Sequence, residues 1–140
     1  MPCSDVKPFL IQKLKYTKES DAPYELLPEL IKAGLRIIYY SGDVDANVPI
    51  TGTVRWFDKF RGQFGYAVKR SWRPWITKQK DFQNNQNISG MVWELDSITL
   101  ATVRGAGHMV PTDKPAEAEE ILNVFLDPER GWKYPDYYME

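Results

Sequence analysis

The chain has only one cysteine in 140 residues. A disulfide closed within it is therefore impossible. Cys3 reads either as a reduced thiol or as half of a bridge to a segment outside these residues. An excess of either charge is also missing. Lys plus Arg number 18 and Asp plus Glu 19, for a net charge of -1. That balance leaves no electrostatic footprint for nucleic acid or an anionic membrane surface. Long apolar runs are lacking too. The longest, Leu35 to Tyr40, is interrupted by Arg36 and falls far short of the ~20 residues of a membrane span. Met1 to Leu10 carries Pro2, Asp5 and Lys7 with no apolar core, so it does not read as a secretory signal. No internal repeat and no dividing linker are found.

What is present fits one modest domain. The apolar fraction of 43% suffices for a packed core rather than disorder. Five Trp and eight Tyr supply large rings, which chiefly fill cores and also line concave binding sites. Asn87-Ile88-Ser89 is an N-glycosylation sequon. It ends a polar run, Gln79 to Asn87, that reads as an exposed loop. Such tripeptides also arise by chance, so Asn87 is a possible acceptor on a secretory route.

Leu26, Leu27, Leu30 and Ile31 recur at helical spacing, with Pro28 near the start and Gly34 at the end. Leu35 to Tyr40 is short, β-branched and aromatic, as a buried strand is. Ile50, Thr53, Val54, Phe57 and Phe60 return to helical spacing. Tyr66 to Ile76 is ambiguous and compatible with a strand. Met91 to Leu95 and Ile98 to Arg104 read as two strands joined at Asp96-Ser97. A final helix is signalled by Pro115, by Thr112 or Asp113 as its cap, and by Glu117, Glu119 and Glu120 at its positive end. Its apolar stripe is Ala118, Ile121, Leu122, Phe125 and Leu126. This succession is an α/β arrangement with fewer parallel strands than a complete doubly wound sheet. Such sheets carry their chemistry on loops at the carboxyl ends of strands. Two loops qualify: Ser41 to Pro49, and Gly105 to Pro111.

The second loop holds His108, the sole histidine. Imidazole moves protons near neutral pH, and the glycines before it permit a sharp turn. A lone histidine can equally be structural or merely exposed. The first loop holds Asp43 and Asp45. Two carboxylates so spaced could contribute to a cation site, although EF-hand spacing is missing. They could form a solvated turn. One of them could instead accept the Nδ1–H of His108, as the acid of a catalytic triad does. An acid after one strand and a histidine after a later one is the tail of the order Ser, Asp, His. None of Ser4, Ser20, Ser41, Ser71, Ser89 or Ser97 sits in a Gly-x-Ser-x-Gly elbow.

Leu35 through Thr53, with Ser41-Gly42-Asp43-Val44-Asp45-Ala46-Asn47-Val48-Pro49 at its centre, resembles the acid loop of serine carboxypeptidases. Val103 through Pro111, Val-Arg-Gly-Ala-Gly-His-Met-Val-Pro, resembles their histidine motif. With Lys114-Pro115 and the last helix, the resemblance covers roughly residues 1 to 133 and is nearest the plant and protist branch.

The resemblance implies the C-terminal part of an α/β-hydrolase fold, with residues 1–140 forming the C-terminal portion of a serine carboxypeptidase domain. His108 matches the general base. Asp45 matches the triad acid, because the family's acid stands in an Asp-x-x-Val-Pro setting, and Asp43 would support the turn. Met109 matches a residue lining the pocket for the leaving amino acid. Cys3 resembles a cysteine bridged to an upstream segment. The implied activity is removal of C-terminal amino acids from peptides by acyl transfer, with no metal or cofactor. The implied location is the secretory pathway, a vacuole or lysosome, or the extracellular space. The nucleophile would come from an N-terminal segment or chain, and the isolated chain would be inactive. The alternative is a shortened, inactive relative that serves as an interaction or scaffold subunit through its sheet edge.

Overall fold

The computed structural model describes residues 23–80 and 86–135. Cys3 lies outside them. A short 3-10 turn, Pro23–Leu26, leads into helix α1, Leu27–Lys32. Pro28 occupies its first turn, where its missing N–H leaves no bond unmade. The helix stops at Gly34, whose N–H reaches the Ile31 carbonyl at 2.9 Å. Strand β1, Ile37–Gly42, and the amphipathic helix α2, Ile50–Phe64, follow. Strands β2, Val68–Lys80, β3, Gln86–Leu95, and β4, Ile98–Val103, come next. Helices α3, Val110–Asp113, and α4, Pro115–Leu126, complete the regular elements, with a 3-10 turn at Pro128–Arg130.

The four strands form one mixed sheet in the order β1-β4-β3-β2. This is an incomplete α/β-hydrolase-like sheet with flanking helices. Strands β1 and β4 are parallel, in register from Ile37 opposite Ile98 to Gly42 opposite Val103. Their carboxyl ends therefore lie side by side, and the loops leaving them must meet. Strand β3 is antiparallel to both β4 and β2. The β2–β3 register shifts several times, and Pro74 lies in the outer strand β2. A missing N–H is tolerated there because an edge strand has one unpaired side.

Both sheet faces are covered. On one, Phe57 and Phe60 of α2 pack with Leu27, Trp93, Leu95, Ile98 and Leu100. On the other, Ile121 of α4 and Val110 of α3 pack with Trp75, Val92, Ala101 and Val103. The alternation along β4 sends Ile98 and Leu100 one way and Ala101 and Val103 the other, as the two-residue period of a strand requires. Each large side chain so buried contributes about 2 kcal/mol of transfer free energy.

Several details depart from expectation. Gln79-Lys80 and Gln86-Asn87 are strand residues rather than loop; 81–85 lie outside the described residues. Neither Thr112 nor Asp113 caps α4, because both belong to the short helix α3 and the cap position is Lys114. Leu122 and Leu126 are exposed, while Val124 is buried. Glu120 does not serve the helix's positive end.

Glu120 turns inward to bind Arg130 and Lys133, both at 2.6 Å. Burial opposes its ionisation, but the two cations outweigh that and hold its carboxyl below the usual glutamate range. They anchor the segment after α4, which crosses the sheet. There the Ile76 N–H donates to the Lys133 carbonyl at 3.0 Å, and Trp132 meets Trp75 edge-on at 5.2 Å. Tyr134 OH donates to Glu94 at 3.2 Å. Burial, aided by the Glu94 charge, pushes the Tyr134 phenol up to about 12. Glu120→Gln should destabilise the chain by about 1–2 kcal/mol at neutral pH, since both cations retain partial solvation. Because the folded carboxyl is the more acidic, this contribution is complete above the ordinary glutamate range. It fades as pH falls through the lowered value. Thermal melts of both forms across that range provide the check, and coincident neutral-pH melting points would refute it.

Candidate active site

The backbone of the first loop is fastened directly to the second. Asp43 N–H donates to the Val103 carbonyl at 3.0 Å, and Val44 N–H to the Ala106 carbonyl at 3.2 Å. Gly42 makes this approach possible. A Cβ built there would lie 2.0 Å from the Ala106 oxygen and 2.4 Å from the Gly107 oxygen. The need is for space, since Gly42 does not have a left-handed backbone.

Asp45 and His108 come together. Asp45 Oδ2 lies 2.9 Å from His108 Nδ1. Its other oxygen accepts the N–H groups of Asn47 at 2.7 Å and Val48 at 3.0 Å. The Asp45 side chain is 5% exposed and that of His108 is 55% exposed. Hydrogen bonds, more than burial, set the acidity of the carboxylate. The Val48 N–H, followed by the His108 ring, holds the carboxyl below the usual aspartate range, outweighing desolvation. An ionised carboxylate can only accept. The Nδ1 facing it must therefore carry the proton, which leaves Nε2 of a neutral ring with its lone pair directed elsewhere.

Asp43, expected to support the turn, also makes a longer-range bond. Its Oδ1 accepts the Gly105 N–H at 2.7 Å, so it ties the acid loop to the histidine loop. Among the described residues no group of three or more His, Cys, Asp or Glu is placed to hold a metal ion. Asp43 and Asp45 are both engaged by N–H donors instead. Met109 directly follows His108 and is 61% exposed. Asn87 is exposed on β3, while Ser89 of the sequon is buried and accepts the Thr77 N–H at 3.1 Å.

Asp45 and His108 border an open cleft of about 360 Å³ whose walls include Tyr39, Tyr40, Thr53 and Trp56. From the sequence the aromatic wall is legible only as ring content, which chiefly fills cores and also lines concave sites. The sequence offers Thr112 or Asp113 as a cap, yet the Asp113 Oδ2 accepts the Gly107 N–H at 2.7 Å. The signal that could have revealed it is the requirement that loop N–H groups find acceptors.

Asp45 should shape the acid limb of stability. Its folded carboxyl is more acidic than the unfolded one, so its contribution is full above about pH 4, the ordinary aspartate value. The contribution is lost as pH falls through the lowered folded value. Asp45→Asn should make the acid limb of a stability–pH curve shallower. An unchanged limb would show that these hydrogen bonds do not persist in solution.

The sequence pattern of the serine carboxypeptidases matches residues 2–128. The chain belongs to the serine carboxypeptidase family. It is 40% identical over 110 residues to serine carboxypeptidase-like 34 of Arabidopsis thaliana, covering 76% of this chain and 20% of that protein. It is 37% identical over 126 residues to serine carboxypeptidase 1 of Hordeum vulgare, covering 88% and 23%. Among solved structures it resembles Kex1(delta)p, a prohormone-processing carboxypeptidase from Saccharomyces cerevisiae. The TM-score is 0.66 at 28% identity, with 78% of this chain and 23% of that one covered. The chain thus spans about a fifth of the length of its relatives. Among the described residues no helix is long and apolar enough to cross a membrane.

Proposed function

We propose that this chain is the C-terminal portion of a serine carboxypeptidase and supplies the acid, Asp45, and the base, His108, of its triad. The 2.9 Å contact between Asp45 Oδ2 and His108 Nδ1 carries this reading. The nucleophilic serine comes from a segment outside these residues. Its hydroxyl proton passes to His108 Nε2 as the oxygen attacks the carbonyl of the last peptide bond. When the C–N bond breaks, the same proton goes to the departing amino acid. Water then repeats the sequence and frees the acyl group. Asp45 keeps the ring in the required tautomer and balances the imidazolium charge. Met109, exposed beside the base, contacts the leaving residue. Cys3 forms a disulfide to the serine-bearing segment, and Asn87 is glycosylated as the protein passes through the secretory pathway.

Two uncovered features support a place for the partner. Among the described residues β1 pairs only with β4, so its other edge offers unpaired backbone groups. Beside it Ile38, Tyr40, Ala118, Leu122 and Phe125 line an open apolar groove of about 390 Å³. A further parallel strand and its helix would cover both. The same edge supports the second reading, an inactive relative that pairs with a different protein.

The decisive experiment coexpresses the chain with an upstream segment containing Gly-x-Ser-x-Gly and assays release of C-terminal amino acids. The chain alone should be inactive and should escape labelling by a serine-directed phosphonate, while the pair should hydrolyse and be labelled. Labelling of the chain alone would overturn the assignment of the nucleophile. A stable but inert pair would favour the second reading.

A further inference from the structure

His108 sits in a glycine-rich backbone whose local sequence imposes little conformational preference. Gly105 has a left-handed φ of 70°, and Gly107 immediately precedes the histidine. Glycines in a loop widen its conformational choice. Such a segment would not by itself hold an imidazole with 55% of its side chain exposed at one angle. Asp113 closes on it from both sides. Its Oδ2 accepts the N–H of Gly107 at 2.7 Å, and its own N–H donates to the carbonyl of Met109 at 3.1 Å. One residue thus binds the two neighbours of His108 in sequence. Asp113 is itself held by helix α3, between Pro111 and Pro115. Its carboxylate gives no cap to α4, so the bond to Gly107 is the interaction its side chain is seen to make.

We infer that Asp113 is a positioning residue for His108, fixing the loop so that Nδ1 stays within bonding distance of Asp45. It is not seen to hydrogen-bond the imidazole and is not among the residues lining the cleft, so it acts through the Gly107 and Met109 backbone. The inference rests on His108 being the base of the triad, yet it can be tested without activity. His108 is the only histidine of the 140-residue chain, so its ring signals in nitrogen-15 NMR are unambiguous.

In the wild-type chain the Nδ1–H should resonate at low field and exchange slowly with water. Asp113→Ala should speed that exchange about tenfold, the effect of losing one charge-assisted bond, and shift the Gly107 amide. Asp113→Asn retains a carbonyl oxygen at the same reach and should restore both signals. If Asp113→Ala shifts the Gly107 amide but leaves Nδ1–H exchange unchanged, the positioning role is overturned. It is also overturned if Asn fails to rescue, or if the Ala variant loses its far-UV circular dichroism, since the role is then one of global folding. A wild-type chain lacking the protected Nδ1–H would instead sink the Asp45–His108 pairing, and with it the triad assignment.

Discussion

His108→Ala and Asp45→Ala, each introduced into the reconstituted two-segment enzyme, should each lower kcat by about 10⁴-fold or more while KM changes little. In the proposed mechanism the imidazole moves the proton, so its removal would eliminate the step. Removing the carboxylate leaves the ring but frees its tautomer, and the Nδ1–H loses the acceptor it has among the described residues. The two losses should not add. The double variant should be no slower than His108→Ala, because Asp45 acts only through the ring. Asp43→Ala provides the contrast. Asp43 lies two residues away in the same loop, but its carboxylate touches the Gly105 backbone and not the imidazole. Its loss should be much smaller. Steady-state kinetics of the four variants would decide the matter. Additive losses, or an Asp43 variant as impaired as the Asp45 variant, would refute the division of labour between the two carboxylates.

The parts of this molecule legible from sequence are those in which a period repeats. Phe57 and Phe60 announced the buried face of α2, and the β-branched run before Ser41 announced β1. Asp96-Ser97 marked the turn between β3 and β4. The β2–β3 hairpin was obscured for a physical reason. Repeated register shifts break the alternation of β2, and polar residues at the hairpin's far end look the same in a strand as in a loop. Glu120 was misread because its partners, Arg130 and Lys133, lie beyond the helix, and local helix electrostatics gave no hint of them. At the site, Asp45 and His108 could be proposed from local motifs. Their adjacency depends on β1 and β4 being parallel neighbours, which composition cannot supply. The bond from Gly107 to Asp113 and the aromatic wall of the cleft arise from tertiary packing, which no local pattern specifies.

Gly42→Ala should cost about 3 kcal/mol, combining overpacking with loss of loop bonds, and should lower the melting temperature by about 10 °C. The methyl group would need the space occupied by the carbonyl oxygens of Ala106 and Gly107. Both obstacles are backbone, so no side-chain rotation relieves them. Either β1 must move away from β4, breaking the parallel register at Gly42 and Val103, or the histidine loop must lift. The second course breaks the bond from Val44 N–H to Ala106 and strains the link between Asp43 and Gly105. It also carries His108 away from Asp45. A displacement of 1 Å at a catalytic group costs about 100-fold in rate, so the variant should lose activity in the reconstituted enzyme even at temperatures where it remains folded. The protected Nδ1–H of His108 should weaken in parallel. This combination separates lost geometry from lost stability. Gly52→Ala, whose added Cβ meets nothing within 4 Å, should leave both readouts near wild type. A Gly42→Ala chain with wild-type melting temperature and an intact Nδ1–H signal would mean that the two loops do not approach as closely as the contact at Gly42 requires. The adjacency on which the acid–base pair depends would then need another source.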